Sequence, residues 1–370
     1  MPPLSAVFQE KRLLLLFLFL LHVCVLQAEE PFAGFERFFT QPHHYVAAYA
    51  PQPPVIDGDI DDAVWQKALW TEEFRDIEGT LSKRPVPYYK TQAKILWDKD
   101  YVYIAADLEE KHIWSYLLKR DEIVYYDNDF EVFIDPHQTS HHYFEFEVNA
   151  SNTMFDLFLA KPYRDPGGKM LISWDSKGIK HAVKLFGTKN QPADEDKRWT
   201  VEIAIPFKDM EAVPKDKDIW RMNFSRVEWE TDINDGKYVH KKNAAGKRLA
   251  ENNWVWSPTG EVNMHCPERW AYVMFSAVPA GEALPAFVLP ETELLRRQLW
   301  YIYYKQRQYR SEHKVYAASL EQLQIKSTLQ LGGETCTLSM EATADQWTAT
   351  AAGFAAAYII TYDGRIAKRL

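Results

Sequence analysis

Cysteine is scarce in this chain: three residues in 370, at positions 24, 266 and 336. Cys24 falls in a segment expected to be removed, and the two that remain lie in separate segments, which excludes a disulfide framework. Several motifs are missing as well. There is no phosphate-cradling glycine loop, no dinucleotide glycine fingerprint, no zinc-type spacing and no nucleophile elbow. Nucleotide-dependent chemistry and the common hydrolase triads therefore have no foothold in the sequence. Positive charge is also in deficit. Lys and Arg number 43 against 52 Asp and Glu, a net charge of −9, which argues against nucleic acid or an anionic membrane as partner.

Long apolar runs are absent but for one, Leu13–Leu26. It follows Lys11 and Arg12 and ends at Gln27-Ala28 before Glu29-Glu30, the layout of a secretory signal peptide. The run is shorter than a comfortable membrane span. Export is expected, with the mature protein secreted, periplasmic or at the cell surface and without a stable membrane span. Cys24 keeps lipid anchoring as the alternative. Without residues 1–28 the net charge becomes about −10 and about 340 residues remain, enough for two domains.

What is abundant is aromatic: 13 Trp, 20 Tyr and 20 Phe, 14% of the chain. Such rings fill cores, and they also form the platforms on which sugar rings stack. The most informative stretch is DNDFEVFIDP, Asp127–Pro136. As a strand it places Phe130, Val132 and Ile134 on one face, and Asp129, Glu131 and Phe133 on the other. YFEFEVN, Tyr143–Asn149, repeats the pattern with Glu145 and Glu147. Paired as a hairpin, the two strands bring Asp129, Glu131, Glu145 and Glu147 to one surface. Like charges across a sheet repel, so a cation, an arginine or a ligand's hydroxyls must compensate them. The plainer alternative is a solvated outer sheet face.

Elsewhere the chain reads as about ten short alternating strands separated by turns, the signature of an all-β sandwich. HYVAAYA suits an edge strand. VIDGDIDDAVWQKA reads as a turn and a short helix that presents Val64, Trp65 and Ala68 to a core. Asp57, Asp59 and Asp61 are candidate ligands for Ca²⁺, a hard cation that takes oxygen donors from tight loops; turn formation and helix capping are the competing use. No organic cofactor is implied. Pro279, Pro285 and Pro290 mark a linker, 279–290, between a domain spanning 29–278 and a C-terminal region, 291–370. That region combines an amphipathic helix with a β-meander and offers a surface to a protein partner. The fold class is mainly β: an antiparallel sandwich with a small C-terminal α+β appendage.

Four stretches, VIDGDIDDAVW, ILWDKDYVYIAADLE, DNDFEVFIDP and RWTVEIAIPF, together resemble the family 9 carbohydrate-binding modules over roughly 55–276. The resemblance implies an immunoglobulin-like sandwich that binds polysaccharide or oligosaccharide, in the best-studied members at chain ends between two tryptophans, with structural calcium. It implies that Glu131 contacts sugar hydroxyls. Glu147 stands where such modules carry an arginine, a reversal of charge. One clamp position falls at Tyr125 and Tyr126, the other at Trp254 or Trp256. With Trp114 and Trp174 these form the expected stacking set, and Asp129, Glu131, Glu147 and Arg120 the expected hydrogen-bonding set. The expected function is thus noncatalytic recognition of plant-type polysaccharide. The alternatives are a glycoside hydrolase that uses the Glu131–Glu147 pair, haem binding through Met264 or His265, and a purely structural role.

Overall fold

The structure is a computed structural model that describes residues 32–165, 167–168 and 170–369. The expected signal peptide lies outside the described residues. Two compact units are present, one ending at Phe39 and the other running from Thr40 to the C-terminus. In the first, a 3-10 turn over Glu36–Phe38 brings the rings of Phe32 and Phe39 into a stack 3.9 Å apart.

Among its described residues the second unit holds twenty strands. In chain order they are β1 (His44–Tyr49), β2 (Arg75–Asp76), β3 (Thr91–Trp97), β4 (Tyr101–Glu109), β5 (Asp129–Asp135), β6 (Tyr143–Asn149) and β7 (Met154–Leu159). Next come β8 (Met170–Leu171), β9 (Lys180–Phe186), β10 (Arg198–Pro206), β11 (Ile219–Glu228), β12 (Thr231–Asn234), β13 (Lys237–His240), β14 (Asn252–Val255) and β15 (Ala271–Pro279). The C-terminal region adds β16 (Thr328–Leu331), β17 (Glu334–Ala342), β18 (Trp347–Gly353), β19 (Ala356–Thr361) and β20 (Ile366–Lys368). Two α-helices accompany them, α1 (Ala63–Lys67) and α2 (Glu293–His313). No helix among the described residues is long and apolar enough to cross a membrane.

Thirteen of the first fifteen strands form a β-sandwich, and β12 and β13 pair with each other as a separate hairpin. One layer runs β8-β7-β6-β5-β11, with β14 and β2 continuing it beside the far half of β11. The other runs β1-β3-β4-β10-β9. β15 joins the two, antiparallel to the near half of β11 and parallel to β1. HYVAAYA is therefore not an edge: β1 lies between β15 and β3 and pairs parallel with both. Alternation dictates what the layers bury. Ile95, Ile104 and Ile203 from one layer and Val132, Phe146 and Phe224 from the other share a single apolar cluster. Each such side chain stabilises the fold by about 1.5–3 kcal/mol relative to exposure.

α1 forms where its sequence predicts, and Trp65 is fully buried beneath it. Trp65 Nε1 donates to Glu202 on β10 at 2.6 Å, and the backbone N–H groups of Asp57 and Gly58 donate to the same carboxylate. Gly58 has φ +89°, and a Cβ there would stand 2.6 Å from the Val183 carbonyl carbon, so only glycine fits this approach to β9.

The C-terminal region packs back on the sandwich. Glu293, at the start of α2, accepts from Arg221 on β11 (3.1 Å) and from the Tyr272 hydroxyl on β15 (2.8 Å). Tyr303 on α2 donates to Asp165, and Ile366 on β20 donates its N–H to Thr139 O at 3.1 Å. The meander runs β16-β17-β18-β19-β20 with every pairing antiparallel.

Candidate functional site

The β5–β6 hairpin forms in the register its alternation predicts. Glu131 lies directly opposite Glu147, and Asp129 opposite Asn149. On its other side Glu131 faces Ser225 of β11. The solvated-face alternative is excluded, because every position of both strands is buried. Loops and neighbouring strands roof this face: Ile77, Val124, Met264 and Trp270 pack against Phe133, Tyr143, Phe155 and Leu157 in a second apolar cluster.

Between roof and sheet lies a cavity of about 450 Å³. Glu131, Glu145 and Glu147 line its floor, Tyr125, Phe133, Tyr163 and His265 supply rings, and Glu251, Asn253 and Asn263 add polar groups. Burial pushes Glu131 up to about 7. Burial, then repulsion from neighbouring carboxylates, raises Asp129, Glu145 and Glu147 well above the usual carboxylate range. A half-open, largely apolar pocket with a few convergent, perturbed polar groups is what a ligand site looks like.

The expected site residues divide sharply between places. Asp129, Glu131 and Glu147 gather at the floor, and Tyr125 lines the cavity, its backbone N–H donating to Glu147 Oε2 at 3.2 Å. Tyr126 leans on Tyr125 from outside, ring centroids 4.6 Å apart. The tryptophans are elsewhere. Trp254 and Trp256 are buried in the sandwich core, where Trp256 stacks on Phe224 and bonds Glu72, so neither presents a face to a ligand. Trp174 lies on the core side of the sheet against Phe144 and Phe146. Trp114 is buried among Val227, Trp229 and Tyr238. Arg120 does not reach the acidic floor either; it is spent on Asp156, Asp121 and Asp175.

The Asp57–Asp61 loop is likewise committed. Asp59 pairs with Lys184, and Asp57 Oδ1 accepts the Asp59 N–H at 2.8 Å. Among the described residues these aspartates form no cluster able to hold a metal ion. Lys184 thus sets a positive charge beside the loop.

Several pocket residues escaped the sequence reading, Glu251, Asn253 and Asn263 among them, and above all two rings, Tyr163 and the pocket-lining His265. Their rings stand 4.3 Å apart although about a hundred positions separate them in sequence. The only local signal was an aromatic within a Pro/Gly-rich loop. His265 Nδ1 lies 2.8 Å from the Tyr143 hydroxyl. Burial, reinforced by nearby Arg164, lowers this imidazole to about 3, which keeps it neutral. Below about pH 6.5 the unfolded chain takes up a proton there that the folded chain refuses, so acid destabilises the fold. His265→Gln is therefore expected to lose less stability than the parent between pH 7 and 5, measured by urea midpoints. Equal losses would show that the ring is protonated in place.

The carbohydrate family 9 binding domain-like model matches residues 56–257. Among solved structures, a family 9 carbohydrate-binding module from Caldicellulosiruptor kristjanssonii in complex with cellotriose is 16% identical at TM-score 0.40, covering 66% of this chain and 100% of that one. The glucose complex gives 16% identity and TM-score 0.41 over 67% and 100%. A Bacteroides uniformis protein gives 12% and 0.46 over 64% and 100%. No curated protein matches. The family match spans more than half of the residues and takes in β5, β6, β11 and the floor of the cavity; the chain belongs to the carbohydrate family 9 binding domain-like family.

Proposed function

We propose that the chain is an exported, noncatalytic carbohydrate-binding protein that takes a plant-type oligosaccharide, or one end of a polysaccharide, into the cavity above β5 and β6. The observation that carries this reading is the convergence of Glu131, Glu145 and Glu147 with the rings of Tyr125 and Tyr163 around one roofed space of about 450 Å³. Ligand pockets fall in this size range. Tyrosine rings offer an apolar face to the C–H side of a sugar. Carboxyl groups answer its hydroxyls, accepting when ionised and also donating when protonated. A pocket of this shape suits a terminus or a short chain and not the flat face of a fibre.

Calorimetric titration of the mature protein with xylan-, cellulose- and pectin-derived oligosaccharides tests the reading, with new reducing ends assayed in the same mixtures. Saturable heat from one class without cleavage is expected. Tyr125→Ala and Tyr163→Ala should each weaken binding about tenfold, the loss of about 1.4 kcal/mol of ring contact. Silence toward every sugar, or heat indifferent to both substitutions, overturns it. Cleavage that disappears in Glu131→Gln would establish a hydrolase instead.

A further inference from the structure

Asp129, Glu131 and Glu147 each contribute a carboxylate oxygen to a group in which all three lie within 4.8 Å of one another. The strand pairing puts them there: Glu131 and Glu147 face each other across β5 and β6, and Asp129 points from the same side two residues earlier. All three side chains are more than nine-tenths buried. Oxygens that share one calcium ion at 2.3–2.6 Å stand no more than about 5 Å apart, so the spacing fits a single ion.

The cluster has no protein counter-ion among the described residues. Arg226 is held by Glu110 and Glu228, Arg164 by Glu268, and Arg120 by Asp156. Three buried carboxylates without a cation are costly to keep charged. A separate observation points the same way. Glu145 is not one of the three, yet it lines the cavity at 5% exposure, and its Oε2 has no hydrogen-bond partner. The second oxygen of Asp129, fully buried, has none either. The other acidic trio, Asp121, Asp156 and Asp175, differs in that Arg120 already occupies it.

We propose that Asp129, Glu131 and Glu147 bind one divalent cation of the calcium type at the floor of the cavity, with the free oxygen of Glu145 beside it. The donors are oxygen throughout, which selects a hard cation over zinc or copper. Three protein side chains leave coordination positions open toward the cavity, within reach of ligand hydroxyls. The cation proposal rests on the carboxylate geometry and on the two unpartnered oxygens of Glu145 and Asp129, and stands apart from the Asp57–Asp61 loop and from sugar binding.

The test uses the full mature protein stripped with EDTA and titrated with CaCl₂ alone. One-site saturable heat and a raised thermal midpoint are expected. Glu131→Gln and Glu147→Gln should each weaken Ca²⁺ by about 100-fold or more, since each removes a charged ligand. Because each substitution also relieves repulsion, both variants should remain folded in EDTA, with midpoints at or above that of the stripped parent. This separates a lost ligand from a lost fold. Terbium luminescence excited through the tyrosines gives a second readout and should vanish in the same variants. Asp59→Asn should leave affinity and stoichiometry unchanged. No saturable heat up to 10 mM Ca²⁺ (on the order of the weakest extracellular calcium sites) overturns the proposal. So does binding retained by both glutamine variants, or binding lost in Asp59→Asn. The titration contains no sugar, so its failure and a failure of carbohydrate binding are read separately.

Discussion

Arg226→Met should cost about 3–5 kcal/mol of folding stability, read as a lower urea midpoint at unchanged slope. Arg226 is completely buried on β11. All five of its donors are used. Nε and Nη2 reach Glu228 Oε2 at 3.0 and 2.7 Å, Nη2 reaches Glu110 Oε2 at 2.8 Å, and Nη1 reaches Glu109 O at 2.7 Å and Thr91 Oγ1 at 3.1 Å. The guanidinium also sits 5.4 Å from the ring centroids of both Tyr89 and Trp254. Methionine fills much of that space but strands two buried carboxylates, and burial already holds Glu228 well above the usual carboxylate range. The cost thus comes from the partners left behind and not from the volume removed. Lys90→Met, which breaks an exposed pair with Glu73, should cost less than about 1 kcal/mol. Similar small losses at both positions would show that Glu110 and Glu228 simply protonate.

Arg226 also shows what the sequence did and did not disclose. The row Trp220, Met222, Phe224 announces the core face of β11, and its next member is Arg226. A charge in step with an apolar row implies buried partners, although the pattern does not say which. The β5–β6 hairpin was fully legible, because period-2 alternation over seven residues in each strand leaves one register that buries both apolar rows. The fate of WVW was not. Alternation puts Trp254 and Trp256 on one face together, and only the packing of β14 against β11 decides that this face is the core. The place of β1 was hidden for a related reason. A short alternating strand looks the same at an edge or between neighbours, and the partners that enclose it lie about fifty and more than two hundred residues away. The pocket wall was least legible of all. Tyr163 and His265 meet because two irregular loops are pinned by tertiary contacts, which leave no periodic trace.

Those contacts carry the second large effect. Glu268→Leu should destabilise the fold by about 3–5 kcal/mol and weaken ligand binding in the cavity as well. Glu268 accepts from Arg164 Nη2 at 2.8 Å and from the Tyr304 hydroxyl on α2. Burial opposes charge on this carboxyl, but Arg164 overrides it and holds the group below its usual range. Arg164 is itself buried, between Glu268 and the rings of Trp300 and Tyr303. Leucine in place of Glu268 leaves a guanidinium in the interior with Asp165, 3.8 Å from Nε, as its remaining carboxylate. The neighbours of this knot are the pocket wall: Tyr163 precedes Arg164, and His265 lies three residues before Glu268. α2 therefore braces the two loops that close the cavity, which gives the C-terminal region a mechanical connection to the site. Tyr304→Phe removes one hydrogen bond and spares the ion pair, so it should cost only about 1 kcal/mol. Measured on fully folded samples, affinity should fall in Glu268→Leu and hold in Arg226→Met, although both are destabilised alike. Equal affinities in the two would mean that the loops keep their places without α2, and that the C-terminal region stabilises the sandwich but does not shape its pocket.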